Sequence, residues 1–146
     1  MIIPDTNLLL YAHVPSFREH FAARSWLEDS LNENQETFGL VWQVIISYIR
    51  IGTNPKLFQT PMTIAQTATQ MARLIEHPLV KIIQPQSGHY EIFMNLLKTE
   101  QVTADLVMDA RLAAPAIEYK ARLATTDRDF TRFRGLKFFN PLAGRI

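Results

Sequence analysis

Two aspartates follow short apolar runs at opposite ends of the chain: Asp5 after Met1-Ile2-Ile3-Pro4, and Asp127 after Leu123-Ala124-Thr125-Thr126. In an open parallel sheet, ligands bind beyond the carboxyl ends of the strands, so these acids could meet at one rim. A third, Asp109, falls in helical sequence whose other inward residues (Leu106, Ala110, Ala113) are apolar. A carboxylate beside such a face is costly unless it is paired or binds a cation. Carboxylates gathered at one rim repel, and a hard divalent ion relieves the repulsion. With oxygen ligands and no cysteine in the chain, Mg²⁺ is the expected ion and Mn²⁺ its alternative, not zinc. Such an ion could lower the pKa of a bound water and neutralise developing charge in phosphodiester hydrolysis, with no side-chain nucleophile.

Each acid also has a local reading. Asp5 before Thr6-Asn7 suits a turn or helix cap, and Asp127 and Asp129 suit an Asx-turn and an N-cap. Asp105 falls in the first turn of a helix, where the dipole favours an acid, although it is four residues from Asp109. Asp109 is the hardest to explain locally. His13, His20, His77 and His89 show no metal-ligand spacing and read as structural or surface residues.

The elements that must position these acids alternate along the chain. Met1–Ile3 reads as a short buried strand, and an apolar run Leu8–Ala12 leads to Pro15. Helical periodicity is expected over Phe17–Leu31, Trp42–Ile51, Thr63–Ile75 and His89–Leu97. Strands are expected at Thr37–Leu40, Val80–Ile83, Arg122–Thr126 and Leu136–Phe139. Thr103 is a candidate N-cap for a helix to about Lys120, with a kink or break at Pro115. This alternation predicts an α/β sandwich around a mainly parallel sheet.

The 146 residues fit one domain spanning 1–146, long enough to bury about two-thirds of its surface. No stretch reaches the ~18 apolar residues of a membrane span, and the N-terminus lacks the basic region of a signal peptide. The expected address is the cytoplasm, with no membrane partner. The net charge is +1, but residues 1–110 carry seven Lys/Arg against eleven Asp/Glu, and residues 111–146 carry eight against three. A basic C-terminal segment could attract a polyanion, or be no more than a solvated surface.

Together the residues form a pattern. The chain resembles the toxin members of the PIN-domain family, the VapC-type ribonucleases, across essentially its whole length. The matching stretches are Ile3-Pro4-Asp5-Thr6-Asn7-Leu8-Leu9, Ile49-Arg50-Ile51-Gly52-Thr53-Asn54-Pro55, Leu106-Val107-Met108-Asp109-Ala110-Arg111-Leu112-Ala113-Ala114, Ala124-Thr125-Thr126-Asp127-Arg128-Asp129-Phe130 and Asn140-Pro141-Leu142. Each is weak alone, and their order and spacing make the signal.

The resemblance implies a single α/β/α domain, often a homodimer, that cleaves RNA with Mg²⁺ held by clustered acids and is restrained by a cognate antitoxin. It implies Asp5, Asp109 and Asp127 as catalytic metal ligands, with Asp129 as an accessory ligand. Asn7 and Thr126 fall where polar neighbours orient those acids. Arg50 and Arg111 could contact RNA phosphates, or form surface salt bridges. The chain departs from the family at Ser47, where many members carry glutamate; loss of that anion predicts weaker metal affinity. The main alternative is therefore a catalytically weakened PIN-like domain that binds RNA or protein. A receiver or Asp-x-Asp phosphatase is disfavoured, because Asn7 stands where the second acid would be and no mid-chain phosphoacceptor aspartate is evident.

Overall fold

Five strands of three residues each build the sheet: β1 (Ile2–Pro4), β2 (Phe38–Leu40), β3 (Val80–Ile82), β4 (Arg122–Ala124) and β5 (Lys137–Phe139). In the computed structural model, which describes residues 1–145, they are all parallel and lie in the order β3-β2-β1-β4-β5. β1 and β2 are buried along their whole length, which is why they read as continuous apolar runs and not as alternating ones. At the middle of β2, a side chain on Gly39 would bring its Cβ to 2.9 Å from Met1 Sδ and 3.0 Å from Ile83 Cδ1, so those side-chain ends would have to shift to admit it.

Six helices cover the sheet: α1 (Thr6–His13), α2 (His20–Glu28), α3 (Trp42–Gly52), α4 (Ile64–Ile75), α5 (His89–Thr99) and α6 (Leu106–Glu118). The chain steps from β1 outward to β2 and β3, then returns past β1 to β4 and β5. Right-handed crossovers in these two directions put α1–α4 on one face and α5–α6 on the other. The packing agrees: α1 touches α2 and α3, α3 touches α4, and α5 touches α6. The result is the expected α/β/α arrangement, and its core holds Ile3, Leu8, Leu9, Phe38, Val44, Tyr48 and Leu123, all essentially inaccessible. No helix among the described residues is long and apolar enough to cross a membrane.

Several boundaries depart from expectation. The segment expected as one helix over Phe17–Leu31 starts at His20, and from Asp29 to Glu33 it widens into a π-helical turn. Thr103 does not cap α6. Ala104 takes a left-handed φ of 53° that interrupts the helical path, and α6 begins two residues later behind Asp105. Pro115 neither kinks α6 to an end nor breaks it. An interior proline costs about 3 kcal/mol, here offset by the packing of Ala113, Ala114 and Ala116, all fully buried beside it. α4 begins as its sequence suggests, with a capping box: Thr63 Oγ1 accepts from the Gln66 N–H (3.1 Å) and Gln66 Oε1 accepts from the Thr63 N–H (2.8 Å).

Candidate active site

The strand order reverses between β1 and β4, and an open α/β sheet parts its loops to make a crevice at such a switch point. Asp5 leaves β1 at this crevice. Its backbone N–H donates to the Ala124 carbonyl at the end of β4 (2.8 Å), so the two strand ends are clamped together. Its side chain starts α1, with Oδ1 accepting from the Thr6 N–H at 2.6 Å. The other oxygen, Oδ2, accepts from the Thr125 hydroxyl at 2.6 Å. Both the cap reading and the site reading of Asp5 therefore hold for one carboxylate.

Thr125 joins two of the acids. It is fully buried, and while its hydroxyl donates to Asp5, its oxygen accepts from the Asp127 N–H at 3.0 Å. Asp127 in turn caps a short 3₁₀ turn (Arg128–Arg132), with Oδ1 accepting from the Asp129 N–H at 2.8 Å. On the other side of the crevice, Asn7 Nδ2 donates to Thr126 Oγ1 at 3.0 Å. The adjacent threonines thus each hold one residue that follows β1.

Asp109, in the first turn of α6, and Ser47, on α3, complete the wall. Asp5, Asn7, Gln43, Ser47, Asp109 and Asp127 line one cleft of about 240 Å³. Burial, more than any neighbour, pushes the Asp109 carboxyl above the usual carboxylate range. Asp127, Asp129 and Asp5 push it further, and Arg132 opposes them. Burial also raises Asp5, against the pull of the Thr125 and Thr6 hydrogen bonds, with Asp127 adding to the rise. Neighbouring carboxylates, with Asp5 and Asp109 half-buried, favour a proton or a cation. Asp129 is exposed and outside the lining, where it acts on Asp109 through its charge. Arg50 is exposed at the end of α3 and does not line the cleft, whereas Arg111 lines a second pocket beside it.

The donor set suits a hard divalent ion: carboxylate, amide and hydroxyl oxygens only. Asn7 Oδ1 is buried without a hydrogen-bond partner among the described residues, an open acceptor in the cleft wall. Among the described residues, however, no three acidic or imidazole side chains close on one point. The donor set is one that two carboxylates with water could complete around an ion, which is how Mg²⁺ is commonly bound. Thr125 was not singled out from the sequence. Neither was Gln43, whose Nε2 donates to the Met108 carbonyl at 2.9 Å and ties α3 to α6.

The chain matches the PIN domain over residues 2–136. It is 34% identical over 142 residues to ribonuclease VapC33 of Mycobacterium tuberculosis, covering 97% of this chain and 99% of the relative. Ribonuclease VapC43 of the same organism is 33% identical over 145 residues, with 99% and 98% covered. Among solved structures, the crystal structure of VapBC2 from Rickettsia felis, bound to a DNA fragment from its promoter, superposes with a TM-score of 0.67. It has 18% identity, with 96% of this chain and 98% of that chain covered, a likeness of fold. A full-length match, this sheet order and an acid-lined cleft at its switch point agree: the chain belongs to the PIN-domain family, alongside the VapC ribonucleases.

Proposed function

We propose that this protein is a divalent-metal-dependent endoribonuclease that acts as the toxin of a toxin–antitoxin pair. The observation that carries the reading is the meeting of Asp5, Asp109 and Asp127 in one cleft at the sheet's switch point. The names of its full-length relatives support it, and Mg²⁺ is the ion best matched to the oxygen donors, with Mn²⁺ as substitute.

Two of the carboxylates of Asp5, Asp109 and Asp127 would hold the ion directly and the third through a bound water, and Asp129 would add negative potential from outside. A bound ion of this kind supplies an acidified water and a counter-charge for the phosphodiester transition state. The chain's own residues do the rest. Thr6 and Thr125 keep both Asp5 oxygens oriented and favour the ionised form. Thr126 fixes the Asn7 amide with Oδ1 free to accept from a bound water. Arg132, already felt at Asp109, and Arg111 in the neighbouring pocket would draw in and seat the phosphate backbone, with exposed Arg50 adding attraction at longer range.

A cognate antitoxin would restrain the enzyme, a reading supported by the likeness to the VapBC structures. A homodimer would cover exposed apolar side chains that line neither pocket, such as Phe21 on α2, which is 84% exposed. The cytoplasm is the expected compartment.

Incubation of the purified chain with single-stranded RNA and Mg²⁺ tests the proposal. Cleavage is expected from the wild type, and none from Asp5→Ala or Asp109→Asn once circular dichroism shows both folded, nor from wild type in EDTA. Equal cleavage by all three proteins would remove the acids from the mechanism. A second reading, a weakened domain that binds RNA or protein without cutting, is favoured by one observation: neutral Ser47 lines the cleft where many family members have an acid. RNA binding with no cleavage at any metal concentration would select it.

A further inference from the structure

Gln43 lines two cavities at once, the acid-lined cleft and a neighbouring pocket of about 90 Å³ framed by Trp42, Pro85, His89 and Arg111. Its amide orientation follows from chemistry. The Met108 carbonyl can only accept, so the atom 2.9 Å from it is the Nε2 donor. The other end, Oε1, is therefore the oxygen. It is buried and has no partner among the described residues. A buried acceptor left unpaired costs free energy that a ligand's N–H recovers on binding.

The surroundings say which ligand. Trp42 presents an indole that is half exposed on the first turn of α3, a face for stacking a planar ring. Arg111 is exposed at the same pocket and carries only donors. An acceptor, a donor fork and an aromatic face beside a phosphodiester-cleaving centre match an unpaired nucleobase, which offers N–H donors and carbonyl or ring-nitrogen acceptors along one edge. The pocket has room for about three waters, enough for the edge of a base but not for a whole nucleotide.

We propose that Trp42, Gln43 and Arg111 form a base-reading subsite next to the scissile position. A rotation of the Gln43 amide turns Oε1, buried in the free protein, toward the pocket, where it accepts from an amino or imino N–H of one unpaired RNA base, and the Trp42 indole stacks on that base. The assignment rests on the ribonuclease reading and makes Gln43 a specificity-determining residue within it.

The test measures binding and cleavage separately. Short single-stranded RNAs, each with one of the four bases or a base analogue lacking the exocyclic amine at a single position, are titrated by fluorescence anisotropy in EDTA. Wild type is expected to prefer the matching base by about 3- to 10-fold, the range for one neutral hydrogen bond. The amine-lacking analogue should lose that preference. Gln43→Met should bind all the RNAs alike, and Trp42→Ala should weaken all of them by about 5- to 100-fold. Asp5→Asn should keep the preference while abolishing cleavage in Mg²⁺. A base preference that survives in Gln43→Met, or a wild type that shows none, overturns the subsite and leaves the nuclease reading intact. A Gln43-dependent preference in a protein that never cleaves keeps the subsite and defeats the nuclease.

Discussion

The hydroxyl of Thr125 donates to Asp5 at 2.6 Å while accepting from the Asp127 N–H at 3.0 Å, so one buried threonine fixes the distance between two acids from opposite ends of the chain. Thr125→Val removes the donor and leaves a backbone N–H without its partner. We expect a loss of about 1–3 kcal/mol in urea denaturation and a fall of about 10- to 100-fold in RNA cleavage. Thr125→Ser should recover most of both. If Thr125→Val keeps full activity, Asp5 does not need this support.

Ser47 lines the cleft as a small neutral group facing acids that repel one another. Ser47→Glu should raise the affinity for Mg²⁺ and Mn²⁺, measured by calorimetry, while lowering stability in metal-free buffer. Unchanged or weaker metal binding would show that position 47 contributes no ligand.

The Asp109 carboxyl is disfavoured as an anion by burial and by Asp127, Asp129 and Asp5. Asp109→Asn removes the repulsion, and in EDTA at neutral pH it should raise Tm by about 2–4 °C, the shift that about 1 kcal/mol produces in a chain of this size. Mg²⁺ should raise the wild-type Tm and leave that of Asp109→Asn nearly unchanged. Equal metal responses in the two proteins would place the ion elsewhere.

His13 is held neutral. Burial lowers its pKa from 6.5 to about 4, with the charges of His20 and Arg24 adding to the effect. Its Nδ1 lies 2.9 Å from the Tyr48 hydroxyl on α3, and Glu28, Arg73 and His77 line the same cavity. The unfolded chain takes up this proton first, so stability should fall as the pH drops from 6.5 towards 4, by about 3 kcal/mol in full. His13→Gln should flatten that part of the stability curve. A wild-type curve with no slope in this window would contradict the assignment.

Much of the scaffold was legible because buried parallel strands read as apolar runs. Asp5 and Asp127 stood out because each follows such a run, and a parallel sheet brings strand ends to one rim. Asp109 stood out as an acid in an apolar helix. Other features depend on phases that composition does not encode. Thr125 and Thr126 are neighbours of one type, and the turn of the chain after β4 decides which hydroxyl faces Asp5 and which faces Asn7. The sequence pointed to Thr126 alone. The start of α6 was misplaced because the left-handed turn at Ala104 has no glycine to announce it. Gln43 looks like any polar residue near a helix start, and only its bond to the Met108 carbonyl, on a distant helix, exposes the unpaired oxygen.

The pairing of β1 with β4 has a bearing on synthesis. The first strand emerges from the ribosome early, yet its partner residues Arg122, Leu123 and Ala124 lie near the far end of the chain. Until they are released, β1 has an open edge and the crevice lacks the wall that carries Asp127. A growing chain therefore lacks the assembled crevice, and a premature stop before residue 122 leaves a fragment with a bare strand edge, prone to aggregate.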